Sequence, residues 1–558
     1  MSDLQTPLAL GVTTDAPIVS PPKPARPEPG CEWIDPRRDT PRWFGPAQWK
    51  SVDRKLGVLF PLAILSSLWY FSWLLRPDRV GDPVLYGLLV TAELFNLVQA
   101  AGFWWTCRKG RDRGRAPVIE HRKAVDVFIP VYTEPLEVVG PTVAAAAAMR
   151  GAELHVYVLD DAGRPELREL AERHGVTYVR RASNAGAKAG NLNHALGVTF
   201  SPYFAVFDCD HVPDPAFMEE TVGWLEASDV AFVQVPQLYA NASQRRLTAA
   251  ASAQQSLFFG GIARGKDGLG AMICCGTNFV ARRSAIDEVG GFPMDSLTED
   301  FSLSIRLRER GWRGVYVNKA LAQGLGPEDM ASYVSQQQRW SRGCLAAIPE
   351  AIRAELPWRD RLQFLLSSMF FLSGWTFALY MALPIVRIFS GHQPLAGATA
   401  AQFVFHFAPY FCISLAAVAV AGAGVYTFEA FALMIANFWI HILSALFVLA
   451  KRTGRFVVTA KHGSEGAQPL TALPALLVMA VLGSSVGYAF DGRFTPGTLN
   501  NVAFACFHLS VLTIGVWPAI AGRHAQVERS PRHPESPSGT EALEDRFDQD
   551  GEIAKVTA

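Results

Sequence analysis

The chain has 558 residues, 50% of them hydrophobic and 18% charged, and its 51 Lys+Arg balance 51 Asp+Glu. The charged share is low for a soluble protein, and the balanced charge gives no net basic field to suggest nucleic acid. The eight cysteines (Cys31, Cys107, Cys209, Cys274, Cys275, Cys344, Cys412, Cys506) form no CxxC pair and no zinc spacing. Several sit in apolar runs, so they read as reduced packing residues.

Residues 1–50 form a polar, Pro-rich leader (PPKPARPEPG) that is expected to be disordered, with no signal peptide. Two apolar runs come next within 51–107, at 56–75 and 84–106. Each is near the roughly twenty residues a helix needs to cross hydrocarbon. Arg108, Lys109, Arg111, Arg113 and Arg115 stand directly after the second run, and the positive-inside rule puts the segment beyond them on the cytosolic side.

From 120 to 330 short apolar runs alternate with helical stretches. VDVFIPVY, LHVYVLDD, VTYVRR, YFAVFDCD and VAFVQVPQ read as strands, and 136–149, 165–174, 188–197 and 214–227 as helices. That rhythm predicts an α/β domain with a largely parallel sheet, which binds ligands at the carboxyl ends of its strands. Carboxylates stand at those ends. Asp160 and Asp161 suit either a turn or a nucleoside or metal contact. Asp208 and Asp210 form a D-x-D that could hold Mg²⁺ or Mn²⁺ with a nucleotide diphosphate. His211 reads first as a turn histidine, with a place in the metal shell as the alternative. Glu299 and Asp300 open a helix, where a carboxylate either caps or acts as a general base.

Residues 331–362 are expected to form interfacial helices. Gln336, Arg339 and Trp340 share a helix face there, fit either to clamp diphosphate and stack on sugar or to edge an interface. Two spans are expected within 363–425, about 364–390 and 401–425. They are joined by SGHQPLAGATAA (390–401), which lacks Lys and Arg and belongs outside. The stretch 428–450 is as apolar as a span, yet crossing would put Lys451, Arg452, Arg455 and Lys461 outside. It is therefore expected to lie on the cytosolic interface as an amphipathic helix within 426–467, with a seventh span as the alternative. Two more spans fall within 468–522, about 469–490 and 499–521, and 523–558 reads as a disordered tail.

The segments IPVYTEP, LDDAGR, NAGAKAGNLNHAL, FDCDH, CCGTNFVARRSAIDEVGGF, LTED, QQQRW and FVVTAK occur in that order between the expected spans. Over roughly 50–522 the chain resembles the cellulose-synthase-like branch of glycosyltransferase family 2. The resemblance implies a cytosolic GT-A domain inserted in a bundle of about six spans in a bacterial inner membrane. It implies an inverting, processive synthesis of β-glucan from UDP-glucose, most simply cellulose, with the growing chain passed through the bilayer. Tyr132, Glu134, Asp160, Asp161, Lys188 and Asp208 match positions around the donor, and Asp208 and Asp210 the Mg²⁺ or Mn²⁺ site. Asp300, beside Glu299, matches the base. Gln336, Arg339 and Trp340 match the motif at the diphosphate and the acceptor end, and Phe456, Val458, Thr459 and Lys461 the gating loop. Val131 departs from the family pattern, which has a hydroxyl there. The 558 − 522 = 36 residues after the last span are fewer than the roughly hundred a small domain needs, so no built-in cyclic di-GMP-binding domain is expected. Another β-linked polymer, or an exporter without transfer activity, is the alternative product or role, and the need for a periplasmic accessory subunit stays open.

Overall fold

The computed structural model describes residues 45–451, 466–491 and 496–522. Most of the expected leader, the expected tail and the FVVTAK segment lie outside the described residues. The first helix, Pro46–Leu74, starts inside the segment expected to be disordered, and its Trp49 is buried.

Strands β1 (Ala124–Val131), β2 (Glu153–Asp160), β3 (Thr177–Arg180) and β4 (Tyr203–Val206) fall where the sequence places them. They are followed by β5 (Val212–Pro213), β6 (Val230–Gln234), β7 (Leu238–Tyr239), β8 (Phe279–Arg282), β9 (Arg313–Tyr316) and β10 (Ala322–Gly324). The large sheet runs β3-β2-β1-β4-β8-β6-β9. Strand β1 is central and apolar on both faces, as a strand covered by helices on two sides must be. Val127 and Ile129 pack with Val139, Val143 and Leu167 on one side, and Phe128 with Leu192, Phe204 and Phe279 on the other. Four of the sheet's six pairings are parallel, in line with the largely parallel expectation, and a single reversed strand makes the sheet mixed. Strand β8 runs antiparallel between β4 and β6. Its four residues are too few for a periodic signal, and the excursion through 235–278 lets the chain re-enter from the opposite end. The helix expected over 214–227 is two short pieces, Phe217–Thr221 and a 3₁₀ segment Val222–Glu226.

A second sheet, β5-β10-β7, pairs β10 antiparallel with β5 and parallel with β7. It brings Gly324, at the end of β10, beside His211, which immediately precedes β5.

Six helical stretches among the described residues are long and apolar enough to cross a membrane. They are Gln48–Leu74, Pro83–Arg108, Trp358–Ser390, Ala400–Ala421, Pro469–Phe490 and Thr498–Ala521. Caps follow from sequence: Asp82 accepts from the Val84 and Leu85 amides, and Thr399 and Gln402 form a capping box. The stretch 428–450 is two helices, Phe428–Ala436 and Phe438–Leu449, bent by 42° at their junction. Its exposed residues include Glu429 in the first helix and the apolar Leu443, Leu446 and Leu449 in the second. Counted as one broken span, the pair would make seven.

The domain is fastened to the bundle through helix Ala263–Leu269. Gly265 and Gly268 make this possible, because a Cβ there would stand 2.1 Å from the Thr106 carbonyl oxygen and 1.8 Å from that of Lys109. The same helix carries two cations, Arg264 and Lys266, and an acid, Asp267. Arg264 donates to Asp112 at 2.7 and 2.8 Å and to Asp53 at 2.9 and 3.1 Å, and lies 4.3 Å from the centre of the Trp49 ring. Arg113 pairs with Asp267 at 2.8 Å, whose Oδ1 also accepts from the Tyr316 amide of β9. Lys266 reaches the Gln363 carbonyl and side chain, and Gln363 in turn bonds Thr106.

Removing one partner of a fully buried ion pair costs about 3–5 kcal/mol. The Asp53 and Asp112 side chains keep 39% and 22% of their exposure, which lowers the cost. Arg264→Ala should therefore lower stability by about 2 kcal/mol, read as a lower thermal midpoint of the detergent-solubilised protein. Arg264→Lys should recover only part, since an ammonium cannot fork to two carboxylates.

Candidate active site

The carboxyl ends of β1 and β2 lie side by side, with Val131 opposite Asp160. Just beyond β1 the Glu134 side chain accepts from the Tyr132 amide at 2.8 Å, and Arg164 bonds the Glu134 carbonyl at 2.7 Å. Asp160 is fully buried and accepts from the amides of Ala162, Gly163 and Arg164 and from the Tyr178 hydroxyl. Four donors leave this carboxylate shaping the turn. Asp161 forks to Arg181 at 2.5 and 2.8 Å, and Arg181 also holds the carbonyls of Ala185 and Ala187. The chain between them passes through left-handed conformations at Gly186 (φ 72°) and Ala187 (φ 45°), a strained turn of the kind that collects at functional sites. It opens helix Ala187–Val198 and aims Lys188 inward.

Lys188 bonds Asp208 and, at 2.8 Å, the Gly276 carbonyl. Gly276 sits at φ +77°, and a Cβ on it would lie 2.9 Å from Asp300 Oδ2. Only glycine fits there. Lys188 and Asp300 thus meet across one residue. The surrounding loop is held by buried Gln234, whose amide nitrogen donates to the carbonyls of Val235, Thr277 and Asn278 and whose oxygen accepts from the Cys275 amide. Thr277 Oγ1 accepts from the Asp208 amide at 2.8 Å.

Asp208, Asp210 and His211 each offer a ligand atom within 4.8 Å of the others. Asp210 Oδ2 accepts from the Leu325 amide at 3.2 Å, and His211 Nδ1 is 3.3 Å from Asp210 Oδ1. Two carboxylates and an imidazole suit a divalent cation, and buried His211 Nε2 has no hydrogen-bond partner. Asp208, Asp210 and His211 would hold Mg²⁺ or Mn²⁺ here.

Asp300 opens helix Glu299–Glu309 and accepts from the Phe301 amide at 2.8 Å. Burial first, then the neighbouring Glu299 charge, pushes its pKa up to about 7, against the pull of Lys188 and Arg339. For Asp208 burial also pushes upward, but Lys188 outweighs it and the carboxyl ends below its usual range. Lys188 is held above its usual value: burial works against its charge, but Asp208, Glu299 and Asp300 prevail. Helix Met330–Ala346 closes this side, with Gly343 against Thr298, where a Cβ would come within 2.4 Å. Half-buried Gln336, Arg339 and Trp340 ride on that helix, near enough for the Arg339 charge to act on Asp300.

The structure therefore gathers Lys188, Asp208, Asp210, Asp300 and Arg339, and gives Asp160 and Asp161 hydrogen-bonded turn positions beside them. Phe456, Val458, Thr459 and Lys461 lie outside the described residues. Sequence reasoning missed Gln234, Gly276 and Thr277. The one hint was a glutamine ending an otherwise apolar strand, VAFVQ. The seven cysteines among the described residues are free.

The family model for glycosyl transferase family group 2 matches residues 203–448. Cellulose synthase 2 of Novacetimonas hansenii is 32% identical over 82% of this chain and 30% of its own length. The UDP-forming cellulose synthase catalytic subunit of Komagataeibacter sucrofermentans is 31% identical over 72% of this chain and 56% of its own. That of Pseudomonas fluorescens (strain SBW25) is 30% identical over 87% of this chain and 69% of its own. The chain thus spans less than a third of the first of these relatives and 69% of the last. A mannosyltransferase from Pyrobaculum calidifontis, solved in complex with GDP-Man and Mn²⁺, aligns over 66% of this chain at 17% identity and TM-score 0.48, too remote to carry an argument.

Proposed function

We propose, since this chain belongs to the family of cellulose synthase catalytic subunits, that it polymerises a β-1,4-glucan from UDP-glucose and passes the product across the bacterial inner membrane. The observation that carries the reading is the split between two carboxylates of one site. Lys188 holds Asp208 ionised, while burial and Glu299 keep Asp300 near neutrality. A site so divided can hold cation and diphosphate at one end and exchange a proton at the other.

In the proposed reaction Asp300 takes the proton from the acceptor hydroxyl as that oxygen attacks the anomeric carbon of an α-linked UDP-sugar. The C–O bond to UDP breaks, the centre inverts, and a β-glycosidic bond forms. The divalent ion supplies positive charge to the diphosphate. Lys188 and Arg339 add to it, and Trp340 and Gln336 hold the terminal sugar in attacking position. The gating role of Phe456, Val458, Thr459 and Lys461 is proposed on the motif alone, and Tyr132, Glu134, Asp160 and Asp161 are placed at the donor by shaping its turn.

The domain is placed in the cytosol because the basic run from Arg108 to Arg115 follows the second span. Four crossings then return the chain inside before Lys451, with the bent pair Phe428–Ala436 and Phe438–Leu449 left at the inner interface and two more crossings after it. Its contacts support this. Gln254 of the domain donates to the Ala430 carbonyl at 2.9 Å, and Arg342, two residues after Trp340, lies 4.3 Å from the Phe447 ring centre.

Asp300 must be ionised to act. Its raised pKa means that protonation removes the base as pH falls, so kcat/KM should drop tenfold per unit below about pH 7. Asp300→Asn should cost about 10²–10⁴-fold in transfer and leave UDP binding within a few-fold; transfer near the wild-type rate would reject Asp300 as base. The product test uses the chain in nanodiscs with Mg²⁺ or Mn²⁺ and radiolabelled UDP-glucose. Label released only by a β-1,4-specific glucanase is the expected result. Release only by a β-1,3-specific enzyme would move the linkage, and no UDP release from any UDP-sugar would overturn the transferase reading in favour of an exporter.

A further inference from the structure

We propose that Lys266 is a proton-operated catch in the joint between the catalytic domain and the bundle: its neutral amine closes the joint, and its ammonium form loosens it. The inference concerns the joint and stands apart from the reaction at Asp300.

Lys266 stands where a charge is hard to keep. It lies on helix Ala263–Leu269, which docks the domain against the second span, and it is 2% exposed. Its Nζ donates to the Gln363 carbonyl at 3.1 Å and to Gln363 Oε1 at 3.2 Å. Both acceptors are neutral, and the Gln363 amide nitrogen is tied in turn to Thr106 of the second span at 2.9 Å. An amine has two N–H donors and both are used, whereas an ammonium has a third. Among the described residues that third donor finds no acceptor.

The acids nearby are already taken. On the same helix, Asp267 is paired with Arg113 at 2.8 Å and accepts from the Tyr316 amide. Asp53 and Asp112 hold Arg264. Asp360, three residues before Gln363, is paired with Arg308 at 2.8 Å. Arg313, which opens β9, is held by Asp229, and the Phe258–Ile262 segment carries no titratable group. Arg108 and Lys109 at the end of the second span, and Arg359 and Arg361 beside Asp360, add only like charge. What remains is Cys107 of the second span, Cys275 of the active-site loop and Tyr316 of β9, and two thiols and a phenol supply no counter-charge near neutral pH.

A buried cation without a partner gives up its proton readily. Burial pushes the Lys266 pKa down to about 7, with Cys275 alone pulling upward. In an open joint it returns to about 10.4. Below about pH 7 the charge is present in both states, and its full cost falls on the docked one. As pH rises from about 7 toward about 10.4, the docked state binds fewer protons than the open state and so grows more stable. Asp300 does not imitate this, because its raised pKa costs stability as pH climbs to about 7 and adds no slope above it. The joint therefore tightens as pH rises through neutrality.

The test is hydrogen exchange, read by mass spectrometry on the full chain in nanodiscs between about pH 6 and about pH 8.5, where unfolded thiols begin to titrate. Opening is read as the exchange rate of residues 263–269 divided by that of helix Leu136–Ala147, which packs on β1, β2 and β5 instead. The common dependence of exchange on pH then cancels. The ratio should be level below about pH 7 and fall about tenfold between about pH 7 and 8.5. In Lys266→Met it should be low and level throughout. A ratio independent of pH in the unmodified chain would overturn the inference, whether or not the variant folds. A fall that persists in Lys266→Met would overturn it as well, by assigning the proton to another group.

Discussion

One buried guanidinium sets the geometry on which the rest depends. Arg264 reaches Asp53 near the N-terminal end of the first span and Asp112 just past the second, and stacks on Trp49. An ion pair removed from water gains little net stability, because desolvation cancels much of the attraction. Its worth lies in direction: four forked hydrogen bonds fix the height and rotation of the catalytic domain on the bundle. Asp267, three residues on, carries the constraint to the Tyr316 amide in β9, the edge strand of the main sheet. Lys266 carries it to Gln363 and Thr106 at the domain-facing ends of the third and second spans.

Within the site, one cation serves two carboxylates differently. Lys188 touches Asp208 directly and acts on Asp300 across the Gly276 loop. The first stays ionised. The second is dominated by burial and by Glu299, and its proton becomes exchangeable near neutrality. The loop that separates them depends on a buried glutamine and on a glycine at positive φ, neither of which does chemistry itself.

At the membrane face, two interruptions meet. The third span is broken by a 3₁₀ turn at Phe370–Leu372, and the pair from Phe428 to Leu449 bends at 437. They touch where Gly374 lies against the Phe438 carbonyl, which a Cβ would approach to 2.3 Å, and where Ser373 bonds His441. Backbone freed at a break inside a bundle is tolerated only where protein packs on it. The break thus lies beside helix Met330–Ala346, which carries Trp340.

The sequence by itself determined much of this protein. Period-two and continuous apolar runs located β1, β2, β3, β4 and β6, and apolar length located six helices, because burial on both faces or in lipid leaves a compositional trace. Asp208, Asp300, Arg339 and Trp340 were legible through motif and order. Tertiary structure alone decided the antiparallel β8, the docking through Arg264 and the break at 437, since each rests on a contact between residues far apart in the chain. It also decided which acid does what: Asp160 is spent on four donors, Asp300 is desolvated beside Glu299, and His211 is turned toward Asp210 by a strand more than a hundred residues on. A carboxylate's character comes from the water it has lost and the charges it faces, and neither is written along the chain.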